Sequence, residues 1–473
     1  MTGFMLHAGK PLLVAALGAA AMLAACSGGG TAKNGAKKTS AAFSVPIEYH
    51  KLANGLKVVL SQDHTVPTVT VAVYYNIGFR IEPRDRTGFA HLFEHMMFQG
   101  SENLGKMEFV RLIQTNGGTL NGSTRFDFTN YFEIVPSHKL ETILWAEADR
   151  MRGLAITDEN LSNQQQVVIN EVKVNVLNTP YGGFPWLDMP QYAFKNWYNS
   201  HNFYGELGDI EAANLNDVQN FFDTFYSPNN AVLVIAGDMA PSEALALAEK
   251  HFGDIPAAEL PTQPDLSEPP QSQEQRFSRI DTLANRPALA FAYRVPERLS
   301  PEWYAFGLLD QILVQGEDSY LHNSLVKKSG LTGSVSGGIN DGLGNKYNYN
   351  GPMLWTVSMF HDNGTSADSI MATVDSEIAR LRDSLVSDEE LGRALIKIRS
   401  GLYDYLEYYN GMGKADLLAC FALFDDDPGL INRIEEGFLQ VTPQLPQQTA
   451  RQYLANSQRT VLELQPGKQP DSK

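Results

Sequence analysis

His91 and His95 stand four positions apart with Glu94 between them, in the stretch His91-Leu-Phe-Glu-His95. On a helix, residues at that spacing lie one turn apart and project from the same face. The residues at 90–98 favour a helix, so the two imidazoles can share one metal ion while Glu94 leans towards the same side. Three protein ligands and one open position make a catalytic rather than a structural site. The pKa of a water held there falls to about 7, which suits Glu94 as its general base. A solvated helix face would also explain two histidines at this spacing. The flanks Gly88-Phe89-Ala90 and Met96-Met97-Phe98 are apolar, however, and unpartnered polar groups in a buried helix are costly.

A third ligand has a candidate further along. The helical stretch 163–177 carries the lone acid Glu171 within the apolar run Val167-Val168-Ile169-Asn170-Glu171-Val172. A carboxylate there avoids full burial unless it is paired or bound to metal. An exposed acid on the polar face of the helix stays open as the alternative. Two imidazoles and one carboxylate suit Zn2+ best among the divalent ions.

The run Gly78-Phe-Arg-Ile-Glu82, followed by Thr87-Gly-Phe-Ala-His-Leu-Phe-Glu-His-Met-Met-Phe98, resembles the active-site region of the pitrilysin (insulinase) zinc peptidases, an inverzincin family. The resemblance continues through Gly117, Gly118, Asn121, Thr124, Asp127, Thr129 and Tyr131, and returns in the closing stretch from Tyr226 through Asp238. It covers most of residues 46–256. It implies a zinc endopeptidase in which His91, His95 and Glu171 hold zinc and Glu94 activates water. An extended or unfolded peptide is expected to add to a strand edge near 118–127, with Asn121 and Thr124 as substrate-binding residues; hydrogen bonding within a turn stays open as their alternative role. One departure is Gln164, where the family often carries a second Glu; an amide can hydrogen-bond but brings no charge.

The family stabilises the substrate carbonyl with an Arg and a Tyr from a metal-free repeat. The matching places here hold Val326 and Gly333, which offer no side-chain donor, and losing one such donor costs about a hundredfold in rate. Either Lys327 or Lys328 substitutes locally, or another chain supplies the pair. The expectation is a heterodimer with a metal-free homologous subunit, with a homodimer as the second arrangement. The competing function is a non-catalytic peptide-binding or assembly lipoprotein that retains its zinc site.

The elements that must position these residues come in two similar sets. Residues 56–60, 68–75, 131–135 and 231–236 read as strands, the second by alternation of Val69, Val71, Val73 and Tyr75 with Thr68, Thr70, Ala72 and Tyr74. After a connector at 257–277, rich in Pro, Gln, Ser and acids, residues 288–295 and 354–360 read as strands again. Ser387-x-x-Glu390 is a capping box that opens a helix through Leu406. The expected fold is α+β, with two homologous domains at 43–256 and 278–466, each a mostly antiparallel sheet packed with helices, as in the pitrilysin-like fold. Aligning Gln99-Gly100 with Gln315-Gly316 sets Gly307, Asp310 and Gln311 opposite His91, Glu94 and His95. The second set thus has the frame of the metal helix without its ligands.

The first residues read as an export signal. Lys10 precedes an apolar run that ends in Leu23-Ala-Ala-Cys26, too short for a comfortable membrane span. Leu-Ala-Ala-Cys resembles a bacterial lipobox, which makes 1–26 a lipoprotein signal peptide, Cys26 the lipidated residue and 27–42 a flexible tether. Ser27 fits sorting to the outer membrane, so the expected location is the periplasm on a lipid anchor. Of the two cysteines only Cys420 then remains, so no intramolecular disulfide can form. Its neighbours mark it as a small buried residue. A formal net charge of −17 argues against nucleic-acid binding.

Overall fold

The computed structural model describes residues 44–467. Cys26, the leader 1–26 and the tether 27–42 lie outside the described residues. Two sheets packed with helices make the fold, and its class is α+β. The first sheet contains β1 (Glu48–Lys51), β2 (Lys57–Gln62), β3 (Thr68–Tyr75), β4 (Thr119–Thr124), β5 (Thr129–Pro136) and β6 (Ala231–Gly237). Its order is β1-β2-β6-β3-β5-β4. The second contains β7 (Gln275–Asp281), β8 (Ala288–Arg294), β9 (Ser336–Ile339), β10 (Leu354–Phe360) and β11 (Thr460–Pro466), in the order β7-β11-β8-β10-β9.

Leave out β1 and the two orders are the same. In each half the first strand pairs in parallel with the last, and every other pairing is antiparallel. In each half a helix follows the second strand, Phe89–Met96 after β3 and Pro301–Leu313 after β8. This repetition is the internal duplication anticipated from the sequence.

The alternation in β3 reads as one buried and one open face, yet both are buried. Val71, Val73 and Tyr75 belong to the core beneath the helix Phe89–Met96, while Ala72 and Tyr74 join the core of the second half. The cover on that side is the helix Tyr408–Asp425 from the end of the second half. Its Asp416 accepts from the Tyr74 hydroxyl at 2.7 Å, and Lys57 donates to the Ala422 carbonyl at 2.7 Å. Strands covered on both faces read as nearly continuous apolar runs, as β3 and β6 do. The connector is held as well: Glu268 accepts from the backbone N–H of Lys195 at 2.9 Å and from Asn199 Nδ2 at 2.7 Å. The helix Asp388–Leu406 opens on the expected capping box of Ser387 and Glu390.

Candidate metal centre

The helix Phe89–Met96 starts where Gly88 turns the chain with φ 79°. A Cβ at that position would lie 2.4 Å from the Tyr204 carbonyl oxygen, so only glycine fits. No residue at the N-cap itself caps the helix. The buried carboxylate of Glu82 does so instead, accepting from the N–H of Gly88 at 2.9 Å and of Ala90 at 2.5 Å. A carboxylate at this end also suits the helix dipole. Burial pushes the Glu82 pKa up, against the pull of His201 and the two N–H groups.

The helix presents both histidines to one point. Their rings are 5.0 Å apart and nearly perpendicular at 83°. Glu171 reaches them from the helix Asp158–Val172, whose N-cap Thr157 accepts from Asn160 N–H at 3.2 Å. Glu171 Oε1 lies 3.6 Å from His91 Nε2 and Oε2 lies 3.3 Å from His95 Nε2. One ligand atom from each residue lies within 4.8 Å of the others, and no other such trio forms among the described residues.

The donor set fits zinc. Burial, the largest influence, holds His91 below the usual imidazole pKa, with Glu94 opposing and His95 assisting, so the ring is neutral as a metal ligand must be. Burial works to raise Glu171, but the hydrogen bond from His95 and the nearness of both histidines leave its pKa below the usual carboxylate value. His91 Nδ1 is buried without a hydrogen-bond partner, which leaves Nε2 as the nitrogen aimed at Glu171. A partner on the far nitrogen usually fixes a ligand histidine. Here packing does so: Tyr204 and Phe203 press on the His91 ring at centroid distances of 5.0 and 5.4 Å.

Glu94 is half-buried beside the histidines, and its Oε2 accepts from Thr124 Oγ1 at 2.9 Å. Of the two roles open to Thr124, substrate binding and internal hydrogen bonding, these bonds are the internal one. The residue is buried, and its hydroxyl faces Glu94 and the Ala90 carbonyl. Asn121 is placed differently. It is exposed on β4, an edge strand of the first sheet, and its side-chain oxygen accepts from the adjacent Gly122 N–H at 3.0 Å. Gln164 is buried and donates to Asn163 at 2.7 Å.

The second half has no such centre among the described residues. Asp310, the counterpart of Glu94, is buried and accepts from Trp355 Nε1 at 2.8 Å and from Gln315 at 3.1 Å. Val326 and Gly333 bring no side-chain donor, and Lys327 donates to the Glu317 carbonyl at 3.0 Å.

Sequence reasoning missed three residues here: Glu82, Phe203 and Tyr204. Glu82 was part of the quoted motif, but its distance ahead of the helix does not match an ordinary cap. Phe203 and Tyr204 come from a distant segment whose only local signal is an aromatic pair before Gly205.

A family model described as "Insulinase (Peptidase family M16)" matches residues 57–181, which hold the whole trio. A second, described as "Peptidase M16 inactive domain", matches residues 212–398. The zinc protease PqqE of Helicobacter pylori is 26% identical over 428 residues, 88% of this chain and 92% of its own. The beta subunit of the mitochondrial-processing peptidase of Saccharomyces cerevisiae is 22% identical over 361 residues, 74% of this chain and 77% of its own. The crystal structure of a protease from Helicobacter pylori shares the fold, with a TM-score of 0.79 at 24% identity over 89% of this chain and 100% of that one.

Proposed function

Because the chain belongs to peptidase family M16, the insulinase family, we propose that it is a zinc-dependent endopeptidase that hydrolyses peptides in the periplasm. The observation that carries this reading is the meeting of His91, His95 and Glu171 beside a Glu94 whose carboxylate is held by Thr124. Bound there, zinc supplies a Lewis acid and a water that ionises at about neutral pH. Glu94, its carboxylate held by Thr124, would be the group that accepts a proton beside the trio and passes it to the leaving amine. Asn121, on the exposed edge of β4, is placed to align an extended peptide by main-chain pairing.

The test is cleavage of an unstructured quenched-fluorescent peptide by the zinc-loaded chain. Glu94→Gln is expected to keep stoichiometric zinc and to lose about a hundredfold or more in rate. A variant that cleaves as fast as the parent would sink the assignment.

A second reading rests on one specific observation, the absence of a donor at Val326 and Gly333. A non-catalytic lipoprotein that binds peptides or serves assembly, retaining zinc, would have this feature too. The peptidase reading meets it with a partner: a metal-free homologous subunit that brings the missing donors, or else a second copy of this chain. One relative named above is itself a subunit, which supports pairing of this kind. Anchoring through a lipidated Cys26, in the outer membrane by the reading of Ser27, completes the proposal. Cys26→Ala is expected to move the protein from the membrane fraction to the soluble one, and unchanged fractionation would remove the anchor from the reading.

A further inference from the structure

We propose that Tyr204 is a catalytic residue of this site, donating its phenolic hydrogen to the substrate oxygen that becomes negatively charged during attack. The proposal rests on the peptidase reading and adds a donor from within the chain itself, where the second half offers none at Val326 and Gly333.

Three observations carry it. Tyr204 is buried, and its ring meets the His91 ring edge to face at 5.0 Å and 81°, so the residue forms part of the wall of the metal centre. Its hydroxyl makes no hydrogen bond to any described residue, whereas Tyr131 in the same half donates to the Phe93 carbonyl and Tyr74 to Asp416. The charges of Glu171 and Glu94 both act on the phenol, so the ring, the third member of the trio and Glu94 share one neighbourhood. The hydroxyl is not sealed in the core as those of Tyr75 and Tyr347 are, so a partner from solution can reach it.

The side chain is also held firmly. Tyr204 N–H donates to Asn202 Oδ1 at 2.9 Å, and the following Glu206 N–H donates to Thr87 Oγ1 at 2.8 Å. Gly205 crosses Gly88 so closely that a Cβ on it would stand 2.2 Å from the Gly88 nitrogen. Phe203 packs against the Tyr204 ring at 4.7 Å and Trp186 at 6.2 Å. The backbone of Tyr204 is therefore locked to the start of the helix that carries His91, Glu94 and His95. A donor fixed in this way needs no reorganisation when charge develops, which is the condition for strong transition-state stabilisation. A phenol keeps its proton at neutral pH and can donate it. As attack proceeds, the water oxygen bonds the carbonyl carbon while its proton passes to Glu94, the carbonyl π pair moves onto its oxygen, and that oxygen accepts the Tyr204 hydrogen bond. When the carbonyl reforms, the C–N bond breaks and the amine leaves with the proton from Glu94; no proton leaves Tyr204.

The test compares the zinc-loaded full chain with Tyr204→Phe, which removes the hydroxyl and keeps the ring against His91. Two ligands are titrated: a phosphinic pseudo-peptide, whose tetrahedral anion mimics the developing charge, and the plain peptide of the same sequence bound to a Glu94→Gln background. The expected result is a loss of about a hundredfold or more in kcat, with a matching loss in phosphinate affinity. KM, plain-peptide affinity, zinc content and melting temperature should stay as in the parent. Equal phosphinate affinity in parent and variant overturns the proposal. So does an equal weakening of both ligands, or a loss of zinc, because Tyr204 would then be only a wall of the pocket or a support for His91. A parent that binds zinc, cleaves nothing alone or with a metal-free homologue, and holds the phosphinate no tighter than the plain peptide fails differently: it sinks the peptidase reading beneath the proposal.

Discussion

Thr124 has one hydrogen to give and a carboxylate in front of it. Its distance to Glu94 Oε2 is 2.9 Å against 3.3 Å to the Ala90 carbonyl, so the shorter, charge-assisted bond takes the hydrogen. Thr124 therefore holds the Glu94 carboxylate. A Thr124→Ala change is expected to lower kcat about 10–100-fold with zinc content intact, the usual range for a residue that orients a functional group. Thr124→Ser restores the hydroxyl and should recover most of the rate. Equal rates in the Ala and Ser variants, whether high or low, would show that the hydroxyl is not the operative feature. The residue types around the metal were legible in the sequence because the motif is local: one helical turn sets His91, Glu94 and His95 on a common face. The role of Thr124 was not, because its partner is fixed by the register of β4 against a helix about thirty residues away. Tyr204 was hidden for the same reason.

At the scale of elements, the helix Phe89–Met96 packs on β5, and between β5 and the helix Leu140–Arg152 sits a buried charged group. Glu133 of β5 is fully buried, with Glu147 and Arg150 of that helix beside it and Tyr75, Tyr131 and Tyr226 around them. Arg150 pairs with Glu147, lies 3.5 Å from Glu133 and stacks on the Phe109 ring at 3.7 Å. One guanidinium cannot neutralise two buried carboxylates. Burial, reinforced by the Glu147 charge, raises the Glu133 pKa well above the ordinary carboxylate value despite Arg150. The folded protein thus keeps a proton that the unfolded chain releases once pH climbs past the ordinary Glu range. Stability then falls as pH rises through that window, by at most about 1.4 kcal/mol per pH unit, until the folded pKa is passed. Glu133→Gln removes the titration and keeps the shape. Its unfolding free energy relative to the parent should increase between about pH 5 and about pH 8, as measured by urea denaturation at several pH values. A difference that is flat across the range would show that Glu133 is already ionised in the fold. The central strands and the helix Phe89–Met96 could be read from the sequence, since each carries its own period, whereas β1, β7 and β9 could not, β7 beginning inside the stretch read as connector. The covering helix Tyr408–Asp425 could not, because its apolar residues say that it is buried without saying under which half. The one hint was that Ala72 and Tyr74 are as apolar as the residues they alternate with in β3.

The whole molecule turns on a charge buried where its halves meet. Arg80 is fully buried, and its Nε donates to Asp127 Oδ1 at 2.6 Å. Its Nη1 donates to Asn199 at 2.5 Å and to the Pro352 carbonyl of the second half at 3.0 Å. Asp127 in turn accepts from the Asn350 N–H of the second half at 2.7 Å, and a Cβ on Gly351 would stand 3.0 Å from Arg80 Cζ. The first half thus supplies both charges and the second half closes around them with its backbone. Only two residues on, Glu82 caps the ligand helix, so the seam and the metal centre share one short segment. Removing one charge leaves the other buried and unpaired, which typically costs about 3–5 kcal/mol. Replacing both with apolar groups of similar volume costs far less. Arg80→Met and Asp127→Leu are therefore each expected to destabilise the chain by about that amount, while the double variant should recover much of the loss in chemical denaturation. If the two single losses simply add, Arg80 and Asp127 act independently. The seam would then be held by its backbone hydrogen bonds, and the buried pair would not be what fastens the second half to the half that holds His91, His95 and Glu171.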